Sequence, residues 1–259
     1  TMNDVLTAHH RAVVGRVILQ EESKRMHLVV GISGAHAYGF PSPDSDVDLK
    51  AIHIEPAHRL LGLFQPTLHA DRLEVIDGVE VDYTSNELHP VLLGVLQGNG
   101  NYIERILGSL SWSRRDELQE LRPLVQRMLS RRLHRHYNGF GHSQFKALEG
   151  AEKPTAKKAL YVLRTTLTGI HALRTGEIVP DVTQLLDQYG FAGARELIAR
   201  KQSGERVELD PRETQHWLTE TRRAFTLLDE ARDQSLLPEE PPSHVELEAW
   251  LLDMRRRFA

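Results

Sequence analysis

The chain contains no cysteine. That excludes disulfides, thiol nucleophiles and thiolate-bound zinc, and it fits a reducing cytoplasm. Long apolar runs are missing too: none approaches the roughly 18 residues of a membrane span. The start lacks the charged-then-apolar pattern of a secretory leader, and Thr1 ahead of Met2 reads as a remnant of an expression tag. Charge of one sign is lacking. Lys and Arg number 32 against 36 Asp and Glu, for a formal net charge of −4. Any polyanion must therefore meet a local patch. There is no internal repeat and no low-complexity tract. What is there is ordinary globular material, 259 residues with 40% hydrophobic and 26% charged. That length holds one large domain or two modest ones.

Residues 5–24 carry apolar residues on one side and read as a helix. His27 to Ser33 reads as a buried strand, and residues 34–45, broken by Gly34, Gly39, Pro41 and Pro43, as a turn-rich loop. Asp46 to Ile54 alternates and reads as a second strand. Arg72–Ile76 and Val79–Tyr83 flank Asp77-Gly78, a strong hairpin signal. Beyond Ser85 the pattern turns helical, with helices expected over 86–97, 102–107, 114–136, 139–150, 155–175, 182–188, 193–203 and 212–233. Leu236 to Pro242 is a proline-rich linker. Ser243 with Glu246 three residues on reads as a capping box for a last helix to about Arg257. This organisation predicts a catalytic part over 1–108 and a helical part over 109–259.

The informative stretch is Gly31-Ile-Ser-Gly-Ala-His-Ala-Tyr-Gly39 followed by Pro43-Asp-Ser-Asp46-Val-Asp48. A strand runs into a glycine loop whose small residues let backbone amides approach a phosphate. A strand then starts with Asp46 and Asp48, whose side chains point the same way because strand side chains repeat every second residue. Two adjacent carboxylates repel each other where partly buried. The usual relief is a divalent cation, and hard oxygen donors suit Mg²⁺, which also takes phosphate oxygens. A phosphate loop beside a carboxylate pair is what phosphoryl chemistry requires.

These residues resemble the DNA polymerase β-type nucleotidyltransferase superfamily, with Gly34-Ala35 in the Gly-Ser place and Asp46-Val47-Asp48 as the metal motif. The fuller string is similar to the branch of RNA repair pathway nucleotidyltransferases (RlaP-like). So are Asp82-Tyr-Thr-Ser-Asn-Glu87, Gln97-Gly-Asn-Gly-Asn101, Lys157-Lys-Ala-Leu-Tyr161-Val-Leu-Arg164 and Leu173-Arg-Thr-Gly176-Glu177. The likeness spans roughly residues 27–190. It implies an α+β fold, in which a small mixed sheet carries the metal site and an α-helical domain follows. It implies transfer of a nucleoside monophosphate from a nucleoside triphosphate to a hydroxyl, with an RNA end as the first acceptor to consider. Two Mg²⁺ ions, or Mn²⁺ in their place, would sit on Asp46, Asp48 and a third carboxylate. That third is Asp82, with Glu80 on the same strand face as its competitor. Ser33, Gly34, Ala35, His36 and Ser45 would surround the phosphates. One departure stands out: the motif serine is Ala35, and Ser33 or backbone amides would have to serve instead.

Two basic groups remain. Lys157, Tyr161 and Arg164 share a helix face and would contact nucleotide, or else form a plain surface stripe. Arg131, Arg132, His134, Arg135 and His136 would contact RNA, or else act as favourable charge at a helix C-terminus. His136, Tyr137 and Phe140 would stack a base or pack a core. Other acceptors (a small molecule or a protein hydroxyl) and a catalytically silent nucleotide-binding module stay open.

Overall fold

The computed structural model describes residues 5–204 and 207–258; Thr1 and Met2 lie outside them. Along the chain come α1 (Ala8–Glu22), β1 (Met26–Ser33), α2 (Gly34–Tyr38), β2 (Val47–Ile54), α3 (Ala57–Leu61), β3 (His69–Ile76), β4 (Val79–Glu87), α4 (Leu88–Leu96), α5 (Gly100–Leu107) and β5 (Ser111–Arg114). Then follow α6 (Glu117–Arg127), α7 (Leu133–Glu149), α8 (Ala156–Thr175), α9 (Ala194–Gln202), α10 (Pro211–Asp233) and α11 (Val245–Arg257). A five-stranded mixed sheet accompanied by helices is the α+β class expected. None of the described helices is long and apolar enough to cross a membrane.

The chain forms two compact units. The first gathers Thr1–His36, Asp46–Met128 and Pro241–Ala259; the second gathers Ala37–Ser45 and Leu129–Glu240. This differs from a single boundary at 108/109. The first unit recruits the C-terminal helix, and the second recruits the loop before Asp46.

In the first unit the strand order is β3-β4-β2-β1-β5. Central β1 is apolar on both faces and buried from His27 to Ile32. It pairs antiparallel with β2, and β2 pairs parallel with β4. The β3–β4 hairpin turns at Asp77 (φ 50°) and Gly78 (φ 80°), the left-handed pair that the Asp-Gly signal demands. Strand β4 alternates buried and accessible residues: Val79, Val81, Tyr83 and Ser85 point to the core, while Glu80, Asp82, Thr84 and Asn86 occupy the other face.

Helix α11 is tied to this unit by a buried ion pair. The Glu87 side chain is fully buried and meets Arg255 at 2.7 Å. It also caps α4 by accepting from the His89 amide at 2.7 Å. Arg255 donates in addition to the Glu55 carbonyl at 2.7 Å.

Several elements differ from the sequence reading. The helix expected over 114–136 is broken into β5, α6 and the start of α7. The Arg131 amide bonds the Pro238 carbonyl at 2.8 Å instead of continuing a helical ladder. Of the helix expected over 182–188, only one 3₁₀ turn forms (Val182–Gln184), capped by Asp181. The capping box at Ser243 and Glu246 is not made. The N-cap position is His244; Ser243 Oγ accepts from the Val245 amide at 3.3 Å, and Glu246 pairs with Arg127.

Removing one partner of a buried ion pair leaves an uncompensated charge. We expect Arg255→Met to lower the stability of the chain by about 3 kcal/mol in urea unfolding. An unchanged midpoint would show that α11 is held by apolar contacts alone.

Candidate active site

The polar face of the sheet is built by register. In the parallel ladder Asp48 is the Cα partner of Asp82, and Lys50 of Thr84. Alternation sends Val47, Leu49 and Ala51 to the core, so Asp48 and Lys50 emerge on the accessible face. Lys50 Nζ lies 3.0 Å from Asp82 Oδ2 and 3.8 Å from Asp48 Oδ1, and donates to Thr84 Oγ1 at 3.2 Å. Lys50 thus places one positive charge between the two carboxylates. The sequence reading missed Lys50. Its signal was available: a lysine two residues after Asp48 in an alternating strand must share that face.

Asp48 is the more buried carboxylate, with 17% of its side chain exposed. Burial pushes its pKa up to about 7; the negative charge of Asp46 adds to the rise, Lys50 opposes it, and Asp82 raises it further. Asp46 precedes β2, close enough for its charge to be felt at Asp48. Glu80 lies on the accessible face of β4, opposite Val75 of the edge strand β3. Among the described residues, no group of three or more His, Asp or Glu side chains is already arranged to hold a metal ion. The donor chemistry nonetheless fits a hard divalent cation. Two carboxylates lie side by side, and burial and like charge make one of them harder to ionise.

Gly34 follows β1 directly, at φ 64°. A Cβ there would fall 1.8 Å from Asp48 Oδ2. Backbone conformation and contact both demand glycine. Ser33 ends β1 as the Cα partner of Asp48. Ala35 and His36 are buried, and His36 Nδ1 donates to the Val5 carbonyl at 3.2 Å. Of the residues expected around the phosphates, Gly34, Ala35 and His36 begin a short helix, whereas Ser33 ends β1 and Ser45 lies just before β2.

A family model described as the RNA repair pathway DNA polymerase beta family matches residues 14–253. The chain belongs to that family. It is accordingly a polymerase β-type nucleotidyltransferase, a class that generally uses divalent metals. An uncharacterized protein of Methanocaldococcus jannaschii is 30% identical over 166 residues, covering 62% of this chain and 67% of the relative. A crystal structure of a nucleotidyltransferase-like protein from Exiguobacterium sibiricum overlaps 93% of this chain and 78% of its own, at 12% identity and a TM-score of 0.33, too remote to support a comparison of sites.

In the second unit of this nucleotidyltransferase, Lys157, Tyr161 and Arg164 lie along α8 as expected. Tyr161 packs edge-on against Tyr38 and Phe40, with centroids 5.8 and 5.5 Å apart. The Arg164 guanidinium, 2% exposed as a residue, lies 3.7 Å from the Tyr38 ring centroid. Lys157 Nζ sits 5.9 Å from the Tyr161 ring. Tyr161 and Arg164 thus pack on the loop 37–45. Gly39 (φ 89°) passes so close to Asp181 that a Cβ would lie 2.2 Å from its Oδ1.

The turn just before Asp46 is held by Lys201. This lysine is fully buried, and its Nζ donates to Ser42 Oγ at 2.8 Å and Ser45 Oγ at 2.7 Å. Ser45 is thereby committed to the turn. Nothing in the sequence pairs positions so far apart, so Lys201 was invisible to it.

The Arg131–His136 cluster sits at the start of α7, not at a helix C-terminus. Arg131 and Arg132 pair with Glu239 and Glu240 at 2.7 and 2.6 Å, and His134 with Asp229 at 2.7 Å. Arg131 and Arg132 thereby bind the proline-rich segment. Tyr137 is buried, while Phe140 is exposed beside the His136 ring.

Two outcomes follow from this geometry. Gly34→Ala should displace Asp48 and lower nucleotidyl transfer by about a hundredfold, more than an alanine at exposed Gly139, because the clash falls on the carboxylate itself; equal rates would show that Asp48 need not stay there. Lys201→Met should loosen the turn. Hydrogen exchange of a peptide spanning residues 42–48 should rise about tenfold, and an unchanged rate would mean that the serines hold the turn unaided.

Proposed function

We propose that this chain transfers a nucleoside monophosphate from a nucleoside triphosphate to an acceptor hydroxyl, with an RNA end as acceptor. The observation that carries the reading is the parallel pairing of Asp48 with Asp82 on one accessible face, with Gly34 against Asp48. Asp46, Asp48 and Asp82 would hold divalent cations, Mg²⁺ in the first place. When bound, those cations would neutralise phosphate charge and polarise the reacting oxygens. Lys50 would stand between the carboxylates until the cation enters, then turn its ammonium toward phosphate or solvent. Asp82, the more accessible carboxylate with 38% of its side chain exposed, would face an incoming hydroxyl. The RNA acceptor rests on the family description, which names an RNA repair pathway.

Lys50 also favours a second reading. A lysine already paired with Asp82 and near Asp48 suits a module that binds nucleotide without turning it over, and Ala35 at the motif serine points the same way.

The test is label transfer. Each α-labelled nucleoside triphosphate is incubated with Mg²⁺ and bulk cellular RNA, beside the Asp48→Asn variant. We expect label to enter RNA with the parent chain and to fall about a hundredfold or more in the variant. Label entering protein or a small molecule would keep the chemistry and reassign the acceptor. Nucleotide binding with no label in any product would overturn the transfer reading in favour of the silent module.

A further inference from the structure

The first unit carries a second concave feature at the end of the sheet away from the carboxylates. Asp48 pairs with Ser33 at one end of the β1–β2 ladder, and Met26 pairs with Ile54 at the other. Six residue steps along β2 separate Asp48 from Ile54, about 20 Å. At that far end a cavity of about 780 Å³ opens. The volume lies within the range of small-ligand sites.

Its lining is cationic in a chain whose net charge is negative. Lys24, Arg25, Arg59, Arg114 and Arg115 face it, against the carboxylates Glu22 and Glu55. Internal pairing leaves positive charge over. Lys24 and Arg25 share a single buried carboxylate, Glu21, with a third cation, Arg72. Arg59 meets Glu55 at 2.8 Å, whereas Arg115 is only 3.5 Å from Glu117 and lies over the Phe258 ring at 5.2 Å. Arg114 is exposed at the end of β5. His27, 6% exposed, forms part of the wall. Its Nε2 meets Tyr83 Oη at 2.7 Å, and its buried Nδ1 has no hydrogen-bond partner. Three elements thus converge on one concavity: the exit of α1, the end of β2 and the end of β5. Forked guanidinium groups match the oxygens of phosphate bidentately, and several of them together suit a multiply charged anion.

We infer that this cavity is a second phosphate-binding site, separate from the carboxylate face, for a nucleotide-sized phosphorylated ligand or for the phosphodiesters of an RNA strand. The chemistry is shared by both sources: phosphate oxygens received by arginine forks, with the base or sugar against Phe258 and Met26. The inference does not depend on the transfer reaction.

The experiment removes the other site first. Binding is measured in the Asp48→Asn background with EDTA, using two probes: inorganic pyrophosphate by calorimetry, and a fluorescein-labelled 12-nucleotide RNA by anisotropy over a range of salt. Arg114→Glu with Arg115→Glu is compared with that background, and the pair Arg114→Gln with Arg115→Gln serves if the charge reversal fails to fold. We expect at least one probe to bind and the variant to weaken it about tenfold or more. For RNA, the slope of log affinity against log salt should fall by about two. Pyrophosphate binding without RNA binding assigns the site to a small phosphorylated ligand; RNA binding without pyrophosphate binding assigns it to a backbone. Absence of binding by both probes, or equal affinity in the variant, overturns the inference.

Discussion

The site depends on one backbone pairing, the parallel ladder between β2 and β4. It sets Asp48 beside Asp82 and Lys50 beside Thr84. Side chains in a strand alternate, so a slip of one residue would turn both carboxylates into the core and bring Val47 or Leu49 to the surface. The hydrophobic alternation of the two strands opposes that slip. Val47, Leu49, Val81 and Tyr83 are all buried on the opposite face. The same apolar residues that hold the sheet together therefore fix the chemistry on its other side. Parallel strands also need a crossover, and here residues 55–78 supply it, with β3 returning as the edge strand.

The path of the chain between Gly34 and Asp46 is the second constraint. It leaves the first unit after His36, contributes residues 37–45 to the second, and re-enters at Asp46. Those residues are held by aromatic packing of Tyr38 and Phe40 on Tyr161, by the Arg164 guanidinium and by the buried Lys201 ammonium. Tyr161 and Arg164, both expected at the nucleotide, pack against this loop. A buried lysine between two serine hydroxyls is an expensive way to hold a turn, which suggests that the position of Ser45, and so of Asp46, matters more than stability alone requires.

Much of this was legible in the sequence because it is local. The Asp-Gly turn, the alternation of β2 and β4 and the glycine after β1 each follow from residue type and spacing within ten positions. What was illegible is tertiary. The break after α6 depends on the Arg131 amide finding the Pro238 carbonyl, and the membership of α11 depends on Arg255 finding Glu87. Within the basic cluster at 131–136, the pairing of Arg131 and Arg132 with Glu239 and Glu240 was illegible because those partners lie more than a hundred residues away. Lys50 is the instructive case. It stands two residues after Asp48 in an alternating strand, so its place on the carboxylate face was legible from spacing alone.

The carboxylate pair is held away from its electrostatic optimum even with that lysine in place. A rise from 3.8 to about 7 at Asp48 corresponds to about 4 kcal/mol at a pH above both values. The sign is that of a raised acid: the fold favours the protonated form, so the stability it contributes is full at low pH and is lost as pH rises through 7. Near neutrality the folded chain carries an Asp48 that is ready to ionise and poorly compensated when it does. A single ammonium 3.8 Å away, shared with Asp82 and Thr84, leaves that penalty in place. A divalent cation would bring twice the charge to both carboxylates at shorter range and would displace the proton. The free energy withheld from folding is then available to binding, and Lys50 is released toward whatever anion accompanies the metal. The lysine and the metal are on this view alternative occupants of one electrostatic well.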